Sequence, residues 1–291
     1  MATISWEGGA SAVAQVQNYT MAGTWEVGDV IRFQIGNRIW DYAVTSTTIA
    51  TFLPLLVTAF NALSATAYPE FAKITASGTS PELNLTADTA GVPFICTITP
   101  LEADFGAADL QTIEGVGVAT TGTVTTASAG PNDWSTAANW SAGAIPVSTD
   151  DVIFENSSVS AKYGLAQAAV ALTSLTIRQS YTGQIGLAKT NSDNEPYPEY
   201  RADFLAIRPG TLRIGDGDGD GSQRIKIDSG TAAAATIIIV NTGSRIESSI
   251  APVVLKGAHA SNSYTHMNGD VGAAIYTGET SNFSGLCRIG S

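Results

Sequence analysis

The apolar residues of this chain fall mostly in short runs that alternate with polar residues, and turn-forming residues separate the runs. Residues 30–35 and 39–44 alternate in this way on either side of Gly36-Asn37, which predicts an antiparallel hairpin. Three further strands are predicted at residues 71–76, 83–87 and 94–98. Each strand is expected to bury one face, because side chains two residues apart lie on the same side of a sheet.

The segment that follows the hairpin has a different period. Its apolar residues recur at three- and four-residue intervals, which predicts an amphipathic helix; they are Ile49, Phe52, Leu53, Leu56, Phe60 and Leu63. Thr47, Thr48 and Thr51 are candidate caps, and a cap at Thr51 would place Pro54 in the first turn, where its missing N–H costs little. The first third of the chain is therefore predicted to be a small α+β module of order ββαβββ.

Residues 115–130 consist almost wholly of Gly, Thr, Val, Ala and Ser. This composition predicts a flexible connector or an edge strand between two modules. We therefore divide the chain into an amino-terminal module at residues 1–114, a linker at residues 115–130 and a second module at residues 131–291. Two domains also suit the length of 291 residues, because single domains usually run to about 100–200 residues.

Short apolar strands joined by Gly, Asn, Asp and Ser turns recur at uneven spacing through the second module. Many contain a Leu-x-Ile pair, which places two apolar side chains on one face of a strand. Trp134 and Trp140 precede the strands, and such bulky residues suit a lid over the open end of a stacked β column. The alternative is that both tryptophans anchor a loop on a β-sandwich. We favour a parallel β-helix or β-solenoid, with strands predicted at residues 172–177, 184–187, 204–207, 211–214, 224–227, 236–240, 252–255, 272–276 and 286–289.

Both modules contain motifs that resemble known families. The first resembles a small α+β module of phage tail, baseplate and fibre proteins and of large bacterial surface proteins; its matching motifs are Val27-Gly28-Asp29-Val30, Ala59-Phe60-Asn61-Ala62, Leu83-Asn84-Leu85-Thr86-Ala87 and Ala90-Gly91-Val92-Pro93-Phe94. The second resembles the entry segment of parallel β-helix proteins of the autotransporter and adhesin kind, with Asn139-Trp140-Ser141, Pro146 and Asp150-Asp151. Together the resemblances imply a virion surface protein with a docking module and a projecting β-helix.

Composition narrows the possible partners. The net charge is −12, with only 14 Lys and Arg, which argues against nucleic acid because phosphate contacts need clustered cations. Anionic membrane surfaces are disfavoured for the same reason. The first seven residues contain neither a basic nor an apolar signal region, and the apolar segment at residues 49–63 is too short and too interrupted to span a bilayer. We therefore expect a protein that remains in the bacterial cytoplasm and is assembled into a virion there.

The strongest candidate for a metal site is a run of alternating Asp and Gly. Asp216, Asp218 and Asp220 match the opening of a calcium loop, which needs oxygen ligands at alternate positions. The position that should carry a bidentate Glu is Ile227, and Asp-Gly repeats also form ordinary turns. Calcium is thus the one cofactor that the sequence suggests.

Other reactive residues are scattered along the chain. Cys96 and Cys287 each lie beside apolar residues and are predicted to be buried free thiols, while His259 and His266 lie in a Ser/Asn-rich segment predicted to be a solvated loop. Glycosidic cleavage needs two carboxylates on one face, and the candidates do not form an obvious pair; they are Glu195, Glu199, Asp203 and Asp228. We therefore predict that the chain is not an enzyme.

These observations favour a structural protein of a tailed bacteriophage, a head-decoration or head-fibre protein. Its expected partners are the major capsid protein or another virion protein, and further copies of the chain in a homotrimer, because the strand-like carboxy-terminal residues have no polar cap. The first alternative is a tail fibre or tailspike that binds or cleaves a host glycan. The second is a bacterial adhesin or surface-layer component exported by an unrecognised route.

Overall fold

The computed structural model describes residues 2–101, 111–113, 120–187, 202–215, 225–230, 237–243, 253–256, 263–269 and 289–290. Within them the chain is mainly β, as predicted, with one α-helix, α1 (Ile49–Asn61), and short 3-10 helices at Phe71–Lys73 and Ala137–Asn139. No helix in this part of the chain is long and apolar enough to cross a membrane. The strands, in chain order, are β1 (Thr3–Ser5), β2 (Val16–Gly23), β3 (Val30–Ile35), β4 (Arg38–Ala43), β5 (Ile74–Thr79), β6 (Glu82–Ala87), β7 (Thr97–Leu101), β8 (Gln111–Ile113), β9 (Thr120–Thr121), β10 (Thr123–Thr126), β11 (Asp151–Phe154), β12 (Ala166–Ile177), β13 (Leu205–Ile214), β14 (Ile225–Asp228), β15 (Ile237–Gly243), β16 (Val253–Lys256), β17 (Ser263–Gly269) and β18 (Ile289–Gly290).

The chain divides into two compact units, and one is inserted into the sequence of the other. The inserted unit spans Ala12–Ala129, and the ladder unit comprises residues 2–11 together with the described residues from Gly130 onward. The division drawn from composition assigns residues 2–11 to the amino-terminal module, whereas the structure places them in the ladder unit. The reason is that β1 pairs with β11, and no local pattern reports a partner so distant in sequence.

The inserted unit contains two antiparallel sheets around one core. The first has the order β10-β2-β6-β5, with β8 also paired to β2, and the second has the order β4-β3-β7-β9. The predicted hairpin is β3 and β4, whose turn contains Gly36 at a φ of 57°. The predicted order ββαβββ is present from β3 to β7. The described part of the predicted linker contributes β9 and β10, and β10 is an exposed edge strand rather than a flexible connector.

Helix α1 lies where its apolar stripe predicts. Phe52, Leu53, Leu56 and Phe60 are buried in the core of the inserted unit. Thr48 occupies the cap position without a side-chain cap hydrogen bond, so Pro54 lies inside the helix rather than following a cap at Thr51.

The last residue of α1 protects one edge of the first sheet. The Asn61 amide donates to the Ala76 carbonyl at 2.9 Å and accepts from the Ala76 N–H at 2.7 Å. Asn61 thereby occupies backbone groups of β5, a terminal strand in the sheet order that would otherwise offer pairing groups to another chain.

Side chains replace strand pairing in the segment before β7. The Gln15 amide exchanges hydrogen bonds with the backbone of Phe94, and Gln17 Oε1 accepts from the Cys96 N–H at 3.1 Å. β7 therefore begins at Thr97, later than the strand predicted for residues 94–98. Cys96 is a buried free thiol, as predicted, and burial raises its pKa to about 12. Cys287 lies outside the described residues.

The ladder unit is built on a parallel sheet. Its main order is β1-β11-β12-β13-β15-β17-β18, and β14 pairs with both β13 and β16. The register aligns apolar residues into columns. One column is Ile4, Val152, Leu175, Leu212 and Ile238, all of them buried. Each strand thus adds a row to the same core.

The spacing of the paired residues varies from row to row. Asp151 pairs with Ser174, Ser174 with Thr211, Thr211 with Ile237, and Ile237 with Ser263, which are separations of 23, 37, 26 and 26 residues. The uneven spacing of the apolar segments in the sequence is therefore also present between the paired strands.

Several predicted strands differ in detail from those observed. Residues 204–207 and 211–214 belong to one strand, β13, and residues 272–276 lie outside the described part of the chain. The strand β17 is not predicted from the sequence, because its residues are largely polar. Its pairing with β15 stabilises it as a strand. His266 therefore lies in a strand and not in a loop, while His259 lies outside the described residues.

We expect Leu175→Ala to destabilise the ladder unit by about 2–5 kcal/mol, because Leu175 is fully buried between Val152 and Leu212 and its truncation leaves a cavity. Urea unfolding followed by tryptophan fluorescence measures the change. Val147→Ala is the matched control, since Val147 is an apolar residue of the same unit that is 62% exposed. If the two variants lost the same free energy of unfolding, Leu175 would not be a buried core residue of the column.

Candidate functional site

A cluster of aromatic side chains lies at the β1 end of the ladder. We call Trp6, Trp134, Trp140, Phe154 and Tyr181 the first-rung cluster; all five are at most 1% exposed. Their ring centroids are 4.5 Å apart for Trp134 and Trp140, 4.9 Å for Trp6 and Trp140, and 5.0 Å for Phe154 and Tyr181. Trp134 and Trp140 therefore belong to the apolar core of the ladder beside β1 and β11.

Hydrogen bonds fix the orientation of most of these rings. Trp6 Nε1 donates to the Val159 carbonyl and Trp140 Nε1 donates to the Trp134 carbonyl, both at 2.8 Å. The Tyr181 hydroxyl donates to the same Val159 carbonyl or to that of Gln184, each 3.0 Å away. Trp134 Nε1 is buried without a hydrogen-bond partner in the described structure. Most polar groups of the cluster are thus hydrogen-bonded within the chain, as expected of a structural element rather than a binding pocket.

Asn139 joins the two places where the chain leaves and re-enters the ladder unit. Its side-chain Nδ2 donates to the carbonyls of Gly130 and Asp133, both at 2.7 Å, and its Oδ1 accepts from the Ala10 N–H at 2.9 Å. Its backbone carbonyl accepts from the N–H groups of Glu7 and Gly8. We call Asn139 and these partners the junction clamp. Asn139 is fully buried, so no water replaces these bonds.

The neighbours of Asn139 and the turn before β11 hold β1 itself. The Ser5 N–H donates to Ser141 Oγ and the Ser141 N–H donates to the Ser5 carbonyl, each at 2.9 Å. Asp150 Oδ1 accepts from the Ala2 N–H at 3.3 Å, and its Oδ2 accepts from the Val147 N–H at 3.0 Å. The Asn-Trp-Ser motif and the Asp-containing turn singled out in the sequence therefore act together to dock the first strand.

Sequence reasoning missed the contribution of the first residues to this site. Ile4 and Trp6 are buried and alternate with Thr3 and Ser5, which is the period-two signal of a strand. That alternation extends over four residues only, and Asp151, which pairs with Thr3 of the same strand, is far away in sequence. A single short alternation is too common in a β-rich chain to identify such a pairing.

The predicted calcium ligands Asp216, Asp218 and Asp220 lie outside the described residues, so the calcium site stays a prediction. In the part of the chain that the structure describes, no three His, Cys, Asp or Glu side chains form a group that could hold a metal ion. Asp228, which follows the expected ligand position, accepts from the Gly230 N–H at 2.8 Å and so stabilises a turn.

Of the four carboxylates considered for sugar cleavage, Glu195 and Glu199 lie outside the described residues. Asp203 accepts a hydrogen bond from Lys226 Nζ at 2.9 Å, and the same ammonium group donates to the Leu187 carbonyl and lies 4.5 Å from the centre of the Phe204 ring. Leu187 and Asp203 flank the segment 188–201, and the Leu187 N–H donates to the Asp203 carbonyl. Lys226 therefore fastens the two ends of this segment to the ladder.

Asn139→Ala is expected to destabilise the ladder unit by about 2–4 kcal/mol, because it leaves the buried carbonyl of Gly130 and the partly buried backbone groups of Ala10 and Asp133 without partners. The midpoint of urea unfolding measures the loss. Ser141→Ala removes a solvent-exposed hydrogen bond to Ser5 of β1, so it should cost less than about 1 kcal/mol. A loss from Asn139→Ala no larger than that from Ser141→Ala would show that the clamp is not required.

Asp133→Asn should raise the melting temperature at neutral pH. Burial raises the pKa of Asp133, so the carboxylate is disfavoured in the folded state and the penalty sets in as the pH rises through that pKa. Asn keeps the oxygen that accepts from the Ser135 N–H, and the advantage of the variant should disappear below about pH 4, where Asp133 is protonated in both states.

Asp41→Asn is the control of opposite sign. The hydrogen bond from Arg32 lowers the pKa of Asp41, so its stabilising contribution is present at neutral pH and is lost as the pH falls through that pKa. Thermal unfolding of both variants from pH 3 to pH 8 tests the pair. A higher melting temperature in both variants would indicate that the gain comes from the lower net negative charge and not from the burial of Asp133.

The comparisons with known proteins assign no family to the chain. No family model matches it, and no curated protein and no solved structure matches it. The geometry of the ladder, the first-rung cluster and the junction clamp is therefore the basis for assigning a function to this chain.

Proposed function

We propose that this chain is a structural protein of a tailed bacteriophage virion, a capsid decoration or head-fibre protein. In this proposal the ladder unit is a parallel β-helix that projects from the particle, and the inserted unit docks on the major capsid protein or on another virion protein. The chain acts as a homotrimer, has no catalytic role and binds neither nucleic acid nor membrane.

The observation that carries the proposal is the register of the parallel ladder. Apolar residues that pair in register, such as Val152, Leu175 and Leu212, follow one another in the core from strand to strand. Backbone pairing along such a column resists bending, because every row is held by hydrogen bonds to the next. Rigidity of this kind is what a projecting virion protein requires.

The first-rung cluster supports the same function. A stacked column has an apolar end that must be covered to prevent pairing with other chains. Trp6, Trp134 and Trp140 fill this end, and Ser141 binds the outer side of β1 through the backbone of Ser5. With this end covered, further strands can pair with the column only at its opposite end.

The inserted unit supports a separate docking role. It has its own core of residues from both sheets and α1, and the Val13 N–H donates to the Ala129 carbonyl at 2.7 Å where its two ends meet. A unit closed at its base folds around its own contacts. It therefore offers a surface that can be recognised independently of the ladder.

Two carboxylates that were candidates for sugar cleavage, Asp203 and Asp228, favour a non-catalytic role. Asp203 is paired with Lys226, and Asp228 accepts from the backbone of Gly230. Glycosidic hydrolysis requires one protonated and one ionised carboxyl group across a sugar. Engagement of these two carboxylates in an ion pair and a turn suits a structural column.

Cryo-electron microscopy of the particle that carries this chain tests the location. We expect density for the inserted unit at repeated positions of the capsid lattice, with three copies around a three-fold axis. Density confined to the tail would contradict decoration and favour the tail-fibre alternative. Recovery of the chain from the envelope of uninfected bacteria, without particles, would favour the adhesin alternative.

A second assay separates binding from cleavage. Purified chain should release no reducing sugar from host polysaccharide, because the proposal assigns it no hydrolytic centre. Release of sugar that depends on Asp203 or Asp228 would contradict the proposal and identify a tailspike. Asp41→Asn serves as the control, since Asp41 belongs to the inserted unit and pairs with Arg32.

A further inference from the structure

The inserted unit contains a long stretch without charge. Residues 42–69 include no Asp, Glu, Lys or Arg, and Asp41 and Glu70 flank them. At a charged fraction of 14%, a stretch of 28 residues would carry about four charges. Helix α1 lies in the middle of this stretch, so neither of its faces carries a charged side chain.

One face of α1 is buried and the opposite face is exposed. The exposed stripe consists of Thr51, Pro54, Leu55 and Thr58, whose spacing of three and four residues places them on one side of the helix. Leu55 is 52% exposed. The Thr58 hydroxyl donates to the Pro54 carbonyl at 2.8 Å, so its donor is already satisfied within the helix. The solvated face of an amphipathic helix normally carries charged and polar residues, whereas the exposed stripe of α1 carries no charge and includes the half-exposed Leu55.

The exposed stripe continues into its charge-free flanks. A helix of 13 residues is about 20 Å long, and one face of it buries less than the roughly 800 Å² per partner of a standard interface. Thr45, Thr47 and Thr48 before the helix and residues 64–67 after it are also exposed and uncharged. Together these residues form a larger neutral surface, which we call the α1 face.

The charge of the whole chain indicates what covers the α1 face. With a net charge of −12, two copies repel each other wherever acidic surfaces meet, so they associate best through a surface without charge. A basic partner would be attracted to the acidic parts of the chain instead. A neutral face on a strongly acidic protein is therefore suited to a second copy of the same protein.

We propose that copies of this chain associate through the α1 face, with Leu55 at the centre of the contact. This inference rests on the homo-oligomer in the proposed function and names the surface that forms it. It does not depend on where the chain lies on a particle.

Sedimentation velocity of the full chain over a range of concentrations tests the contact. The comparison is between Leu55→Asp and Val27→Asp, because Val27 is an apolar residue of the same unit that is 66% exposed and lies outside α1. Both variants add one negative charge, so general repulsion is matched. We expect the wild type and Val27→Asp to associate alike, and Leu55→Asp to weaken association at least ten-fold.

Two outcomes would overturn the contact: a wild type that stays monomeric up to hundreds of micromolar, or a Leu55→Asp variant that associates as the wild type does. Circular dichroism should show that both variants fold, since both positions are exposed. Oxidative cross-linking gives a second readout in a Cys287→Ser background, where the remaining Cys96 is buried. Leu55→Cys should form a disulfide-linked dimer and Val27→Cys should not.

These measurements use the purified chain and are independent of its place on a particle. A monomeric wild type would contradict the α1 contact and leave a capsid location standing. Density confined to the tail would contradict the capsid location and leave the α1 contact standing.

Discussion

The structure of the ladder unit depends on the parallel pairing of β1 with β11. This pairing sets the first row of the apolar column, because Ile4 lies opposite Val152 and Val152 in turn lies opposite Leu175. It also brings Trp6 to Trp140 and so completes the first-rung cluster. A shift of one residue would turn Ile4 and Trp6 away from the core. The bonds from Asn139, Ser141 and Asp150 to residues 2–10 exclude such a shift.

The inserted unit also uses hydrogen bonds from side chains to the backbone, but in a different arrangement. Side-chain amides pair with backbone groups where a strand is missing, as Gln15 and Gln17 do for residues 94–96 and Asn61 does for β5. In both units side-chain amides, which are buried at Gln15, Gln17 and Asn139, satisfy backbone groups that a sheet leaves free. Within the described residues, the two units hold their sheets together without a disulfide.

The sequence predicted local features better than distant pairings. The period of Phe52, Leu56 and Phe60 identified α1, and alternation around Gly36-Asn37 identified the β3–β4 hairpin. The 3-10 helix at Phe71–Lys73 and the late start of β7 were not predicted, because side-chain hydrogen bonds and tertiary packing override the local pattern there. The position of Trp134 and Trp140 before the strands predicts a lid over the core, but nothing in the sequence predicts the contacts of Trp6 and Asn139. Their contacts join segments more than a hundred residues apart, and such contacts leave no periodic signal.

The insertion between β1 and β11 has a consequence for synthesis on the ribosome. Residues 2–11 are made before the inserted unit, but their binding surface, which includes Asn139, Ser141 and Val152, emerges only after the whole inserted unit has been translated. The inserted unit, whose described sheets and core lie within Ala12–Ala129, is free to fold in the meantime. Nascent chains thus carry an unpaired apolar strand until translation passes β11, and slow translation over this region would prolong its exposure to other nascent chains on the same message.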